Sequence, residues 1–444
     1  MDRNAPGRLR RTVAVATAVS ALTAVAACGG GSGNGDSAAK PTGKVTLTFW
    51  GQENGMPQAV AAWNKTHPDI QVKFTKVTLG DTGYQKITAA VKAGNGPCTA
   101  ELNAQQVVTY AAQGMVQDVT QYVGTYKDKF TEAAWKAASP GGRTYAVPES
   151  ASPNFFAYRT DLFKKYGLTV PTTWDEFIAA GQKLVKANPK LKLMNYAPED
   201  PSGFVGLNWE AGATWYKQES NGWKIDFLSP ESLKAAGVLQ KMVDSKMLSS
   251  VSYTDPGIWK TWDDGGTLSM TTSTWQLPIY SKVFPKSDGN WAIIPVPQYA
   301  AGQASTDSGY NTVGVMKGCK YPQQAAEFGG WMGTSPTALK LLADPVNGAG
   351  WFPALRDVSP YLTGITPKKM IPDSTAATQV VTKAAAEVNT TWEFGPDYAT
   401  MYTKMASYWP QVLAGKMSAV DLLKTMQAFV LKDLKSQGIS ASAG

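Results

Sequence analysis

One histidine and three cysteines limit the chemistry this chain can carry. His67 stands alone, beside Pro68 at the end of an expected helix, so a Ser-His-Asp or Cys-His centre would rest on that single residue. A zinc site built from several histidines is excluded, and Cys28, Cys98 and Cys319 contain no Cys-x-x-Cys spacing. No metal or cofactor is expected. What remains is a stock of aromatic and amide groups: 15 Trp and 18 Tyr in a chain with only 17% charged residues. Such groups perform reversible recognition, with rings covering apolar faces and amides or carboxylates meeting polar edges. Trp63, Trp174, Trp331 and Trp409 sit inside amphipathic helical patterns and are expected in the core. Trp209, Trp275, Trp351 and Trp392 lie among Gly, Thr, Asn and Ser, Trp50 ends a strand, and Trp215 follows Gly212. These six are the candidates for stacking on a ligand, because loops on a rigid scaffold carry function.

Those side chains need a frame, and the hydrophobic periodicity supplies one. Val45, Leu47 and Phe49 alternate with Thr46 and Thr48, predicting a strand over 44–50. A helix follows over 57–65 and stops before Pro68. Ile70, Val72 and Phe74 predict a second strand over 69–77, and Tyr84, Ile87, Ala90 and Val91 a second helix ended by Gly94 and Gly96. A third strand over 99–103 leads into a helix over 104–113. This alternation predicts an α/β chain with a parallel sheet. Ligands in such sheets bind beyond the carboxyl ends of the strands, where Gln52, Glu53, Asn103 and Gln105 stand. The middle third restarts the pattern. Strands are expected at 145–148, 155–158, 268–272 and 291–296, with one helix capped by Thr173 and Glu176 and another beginning at Ser229.

The 444 residues, 43% of them hydrophobic, predict two or three domains with true cores. Net charge is +8, and residues 1–27 hold four Arg and one Asp of it. The remainder is spread without a long basic run, so no nucleic-acid partner is expected. Residues 1–27 read as a signal peptide, with Arg8, Arg10 and Arg11 before an apolar run of 16 residues, too short to span a bilayer. Val25-Ala-Ala-Cys28 resembles a lipobox, which predicts lipidation of Cys28 and membrane anchoring. An ordinary secretory signal would instead leave an exposed thiol. Residues 28–43 read as a flexible tether. Cys98 and Cys319 then form an even pair in an exported chain, for which a disulfide or two buried thiols are the readings.

The ordered series Phe49-Trp-Gly51, Tyr84-Gln-Lys-Ile87, Ala93-Gly94, Tyr110-Ala-Ala-Gln-Gly114, Tyr145-Ala-Val-Pro148, Tyr158-Arg-Thr-Asp-Leu-Phe163 and Pro171-Thr-Thr-Trp-Asp-Glu-Phe177 continues through Ala325-Ala-Glu-Phe328, Gly350-Trp-Phe-Pro353 and Ser418-Ala-Val-Asp-Leu-Leu423. It resembles the extracellular solute-binding proteins of bacterial sugar ABC importers, the maltose-binding-protein-like group, over nearly all of the mature chain. The resemblance implies a two-lobed periplasmic-binding-protein-like α/β fold, each lobe a mostly parallel sheet flanked by helices, joined by a hinge. Lobe 1 is placed at 44–148 plus 311–334 and lobe 2 at 152–306 plus 336–438. Family members commonly carry Pro-Asp where this chain has Pro97-Cys98, which fits a Cys98–Cys319 disulfide inside lobe 1.

The implied ligand is a sugar, an oligosaccharide above all, held between closing lobes and delivered to membrane-embedded permease subunits. The protein would be a monomer at the extracellular face of the membrane, with no catalysis. Glu149 would lie at one hinge crossing, and Tyr310 and Asn311 at the other. Two other readings stand beside it. A secreted carbohydrate-active enzyme would use Glu53 and Glu149 as paired carboxylates. A binding protein for an oligopeptide or polyamine would need a different set of polar groups, several carboxylates in the polyamine case.

Overall fold

The computed structural model describes residues 43–78, 80–300, 306, 309–362 and 365–444. The expected signal peptide, the expected lipidation site Cys28 and nearly all of the expected tether lie outside the described residues. Strand β1 (Val45–Gly51) buries Val45, Leu47 and Phe49 and exposes Thr46 and Thr48, as its alternation requires. It pairs in parallel with β2 (Ile70–Lys76) on one side and β3 (Thr99–Asn103) on the other. Helices α1 (Met56–Thr66), α2 (Asp81–Lys92) and α3 (Ala104–Ala112) follow these strands in turn.

The parallel order ends there. Strand Asn311–Val315 returns from far along the chain and inserts antiparallel between β3 and β4 (Ala146–Ala151). Phe352–Pro353 pairs antiparallel with β4 and completes a six-stranded sheet. In the second lobe, β5 (Phe155–Arg159) is flanked antiparallel by Ser269–Thr272 and Trp291–Ile294. The large sheet of the first lobe is therefore mixed, and in the second lobe the β5 sheet is antiparallel while the short pairs Met194–Asn195 with Leu248–Ser249 and Ala441–Ala443 with Gly222–Ile225 are parallel. Crossing segments that return from the other lobe arrive in either direction, which a pattern of alternating strands and helices does not register.

The lobe limits also shift. Helix Pro336–Ala343 leaves helix Pro322–Thr334 after Ser335 alone, and that short link keeps it in the first lobe, packed on α1. The segment 336–361 thus belongs with the first sheet, not with the second lobe as the sequence placed it. Cys98 and Cys319 are joined by a disulfide within this first lobe, where Met316 N–H also donates to Cys98 O at 2.9 Å. Two crossings are tied to each other by Asn154, whose N–H and Nδ2 donate to Thr306 O and Oγ1 at 3.0 and 2.9 Å.

The aromatic cores follow the helical patterns. Trp63 is fully buried against Phe328 and Trp331, and Trp409 against Phe204 and Tyr196. His67 stacks on Trp63 at 3.5 Å, a packing and capping role at the end of α1. The Thr173–Glu176 capping box forms as expected, each backbone N–H donating to the other's side chain at 3.2 Å.

Candidate ligand-binding cleft

A cavity of about 950 Å³ opens between the two lobes. The first lobe contributes Tyr84 from α2, Asn103 from the end of β3, and Gln105 and Gln106 from the first turn of α3. That turn is held by the neighbouring crossing: Ala104 N–H donates to Tyr310 O at 2.9 Å, while Asn103 N–H donates to Tyr84 Oη at 3.1 Å. The carboxyl end of β3 is thus a fixed ledge, as the strand-end rule anticipates.

The second lobe supplies most of the wall. Trp259 and Trp262 come from helix Ile258–Asp263, Tyr280 from helix Leu277–Val283, and Tyr398 and Tyr402 from helix Tyr398–Leu413. Tyr280 stacks on Phe284, which stacks on Trp291, so the wall is continuous with the lobe core. Trp275 stands in a short turn pinned by Gln276, whose Oε1 accepts from Thr272 Oγ1 at 2.8 Å and Ser273 N–H at 3.2 Å. It keeps 43% of its surface exposed, the condition for a ring that a ligand can cover. Trp209 is fixed differently: its Nε1 donates to Asn389 O at 2.7 Å, and its ring stacks on Trp392 at 5.4 Å.

Among the described residues, twelve aromatic side chains line this cavity: five Trp, six Tyr and Phe394. The charged lining groups are Glu199, Asp200 and Glu210, and no Lys, Arg or His lines it. Glu210 is buried; Trp174 Nε1 donates to its Oε2 at 3.2 Å, and burial holds its carboxyl well above the ordinary range. Its Oε1 and Asn103 Oδ1 are buried and have no hydrogen-bond partner. Buried acceptors of this kind are costly unless a ligand donates to them. An apolar, ring-lined cavity with a few unpaired acceptors is built for a molecule that has flat apolar faces and many hydroxyl donors.

Of the sequence candidates, Asn103, Gln105, Trp209 and Trp275 come together here. The others do not line this cavity. Trp215 is fully buried, donating to Ser232 Oγ at 3.1 Å and stacking on Phe227, so it is a core residue. Trp351 is 7% exposed and packs in the hydrophobic core. Both lie in polar-looking sequence, and segments distant in the chain cover them. Trp50 is half-buried beside Tyr84 and Tyr145 against a smaller core cluster. Asn311 pairs with Asn103 and Ser150 in the first sheet. Tyr310 and Trp392 line an adjoining cavity of about 710 Å³, which shares Trp209 and Phe394 with the cleft and also includes Trp135, Trp223, Lys127, Lys136 and Arg356.

Gln52, Glu53 and Glu149 belong to a buried acidic cluster centred on Glu101, a residue the sequence reading passed over. Glu101 Oε2 accepts the Gln52 N–H at 2.8 Å, and Gln52 Nε2 donates to Glu53 Oε1 at 2.7 Å. Neither Glu149 oxygen has a partner. Burial raises all three carboxyls; repulsion from the neighbouring acids adds to it at Glu101 and Glu149, whereas Gln52 and Lys76 partly offset it at Glu53, and Glu101 is pushed up to about 8. The cleft residues missed by sequence reading include Tyr84, Glu210, Trp259, Trp262, Tyr398 and Tyr402, and Trp174 was assigned to the core. Their helical spacing is the ordinary signature of core positions, and nothing local distinguishes a helix face turned to a cavity.

Residues 50–338 match the bacterial extracellular solute-binding protein family. The arabinooligosaccharide-binding protein of Bacillus subtilis is 24% identical over 311 residues, 66% of this chain and 71% of that protein. The diacetylchitobiose binding protein DasA of Streptomyces coelicolor is 26% identical over 244 residues, 52% of this chain and 56% of that protein. Among solved structures, the galacto-N-biose-/lacto-N-biose I-binding protein of a Bifidobacterium longum ABC transporter, in complex with lacto-N-biose, superposes with a TM-score of 0.79 at 24% identity. It covers 91% of this chain and 100% of that one. These structures share the fold.

Proposed function

The chain belongs to the bacterial extracellular solute-binding protein family, and we propose that it captures an oligosaccharide between its lobes and delivers it to the permease of an ABC importer. The observation that carries this reading is the cleft itself. Its twelve aromatic side chains surround two buried, unpartnered acceptors, Asn103 Oδ1 and Glu210 Oε1. Pyranose rings present C–H faces for stacking and hydroxyls that donate to such acceptors. About 950 Å³ suits more than one sugar ring. The names of the sugar-binding relatives point the same way.

In this reading Trp209 and Trp275 stack on the sugar, while Asn103, Gln105 and Glu210 take its hydroxyls. Closure then excludes water from these contacts, and a few of them suffice for micromolar affinity, about −8 kcal/mol. The protein binds without turnover. Cys28 anchors it by lipid to the extracellular face of the membrane, since no helix among the described residues is long and apolar enough to cross. It works as a monomer.

Tryptophan fluorescence is the test, with mono- and oligosaccharides titrated alongside oligopeptides and polyamines. Saturable binding of one sugar series, recovered unchanged after incubation, is the expected result. A response to a peptide or polyamine alone, or hydrolysis of the sugar, would overturn the reading.

A further inference from the structure

We infer that the cleft selects its saccharides by charge, accepting uncharged or ammonium-bearing sugars and rejecting uronates and sulfated or phosphorylated sugars. This rests on the carbohydrate reading and narrows it. Three separate features of the cleft support it.

The first is the lining. The chain carries 42 Lys and Arg against 34 Asp and Glu, yet among the described residues no cation lines the cleft, while Glu199, Asp200 and Glu210 do. None of these three acids enters an ion pair among the described residues. A ligand carboxylate or sulfate is normally held by Arg or Lys, and here it would meet like charge instead.

The second is the occupation of the helix ends. A helix N-terminus is the alternative anion site when no cation is present. The helices that bring their first turns to the cleft include α3 through Gln105 and Gln106, Ser202–Glu210 through Ser202 and Gly203, Trp174–Ala187 through Trp174, and Tyr398–Leu413 through Tyr398 and Ala399. Acceptors of the chain engage a first-turn N–H of each, Gln298 O taking that of Trp174 at 3.1 Å and Gly395 O that of Tyr398 at 3.2 Å. Tyr310 O accepts the Ala104 N–H at 2.9 Å, and Asp200 Oδ1 accepts the Ser202 N–H at 2.9 Å. At the second helix the capping group is itself a carboxylate, further oriented by the Tyr402 hydroxyl that donates to it.

The third is the sign of what is left unpaired. Asn103 Oδ1, buried in the lining without a partner, can only accept. A hydroxyl or an ammonium group donates to it. An ionised carboxylate or sulfate has no proton to give and would leave an acceptor facing an acceptor.

The experiment uses the purified full chain and three neutral probes: maltotriose, β-1,6-galactobiose and diacetylchitobiose. Each is titrated beside its analogue with the terminal primary hydroxyl oxidised to a uronate, and beside the neutral uronamide of the same shape. For whichever neutral probe binds, the uronate is expected to bind at least about tenfold more weakly than the uronamide. A Glu199→Gln/Asp200→Asn double variant should shrink that gap, read as the ratio of uronate to uronamide Kd within the variant whatever its affinity for the neutral probe. A uronate that binds as tightly as its uronamide overturns the inference and leaves the carbohydrate reading intact. So does a gap that the double variant leaves unchanged, since the penalty would then be steric. No binding by any saccharide, with a response to a peptide or polyamine, overturns both.

Discussion

Glu101→Gln separates a buried acid from its shape. Glu101 is wholly buried on β3, and the space for its carboxyl exists because position 51 is glycine: a Cβ there would stand 3.1 Å from Glu101 Oε2 and 2.6 Å from Met56 Sδ. Burial and the neighbouring Glu53 push its carboxyl up to about 8 from an ordinary 4.5. At ~1.4 kcal/mol per pH unit, that displacement is worth about 5 kcal/mol, against a typical total stability of roughly 5–15 kcal/mol. The direction follows from proton binding. Between pH 4.5 and 8 the folded state holds a proton that the unfolded state has released, so stability is full below pH 4.5 and is lost as pH rises through 8. Glutamine keeps the volume and the acceptor for the Gln52 N–H but cannot ionise. Urea unfolding of both proteins, with the disulfide intact, should show them close at pH 5. By pH 9 the parent should have lost about 4 kcal/mol more than the variant. The residual pH dependence of the variant then belongs to Glu149 and Glu53, whose carboxyls are also raised. Parallel pH profiles for parent and variant would refute the reasoning, because Glu101 would then ionise without cost and its isolation from cations would be of no consequence.

Three further outcomes follow from the same structure. Trp275→Ala removes a ring that is 43% exposed at the cleft and should weaken sugar binding about tenfold or more with less than 1 kcal/mol lost from stability, whereas Trp215→Ala, fully buried, should cost about 3–5 kcal/mol in urea unfolding. Replacing Cys98 and Cys319 together with serine opens a loop of 221 residues and should cost up to about 5 kcal/mol in stability. Because both cysteines lie in the first lobe, isothermal titration of the folded variant should show unchanged sugar affinity. Gly333→Ala places a Cβ 2.1 Å from Pro148 O and 3.0 Å from the Phe130 ring, so helix Pro322–Thr334 must lift off β4 and the midpoint of thermal unfolding should fall by several degrees.

Local order along the chain was legible because its causes are local. The alternation in Val45–Gly51 and the Thr173–Glu176 capping box depend on residues within a few positions of each other, and each formed as expected. The sparse histidine and the cysteine spacing likewise bounded the chemistry without any coordinates. The ordered motifs carried the lobed α/β fold. They did not carry the mixed and antiparallel pairings, because strand Asn311–Val315 enters the first sheet between β3 and β4, whose residues lie 160 or more positions away in sequence.

Sequence by itself thus determined the class of molecule, the absence of any multi-histidine centre, and four of the residues that line the cleft. Tertiary structure alone decided which tryptophans line the cleft. Trp209 is held by Asn389, 180 residues away, and stacks on Trp392, which in turn packs against the buried Trp215. Trp259, at helical spacing that reads as core, lines the cavity half-buried, while Trp262 beside it borders the cavity and is buried in the core. The reason is physical: an indole makes the same apolar surface wherever it stands, and its burial depends on what the rest of the chain lays over it. The same holds for Glu101, whose weakened acidity comes from the strands and carboxylates folded around it rather than from its neighbours in sequence.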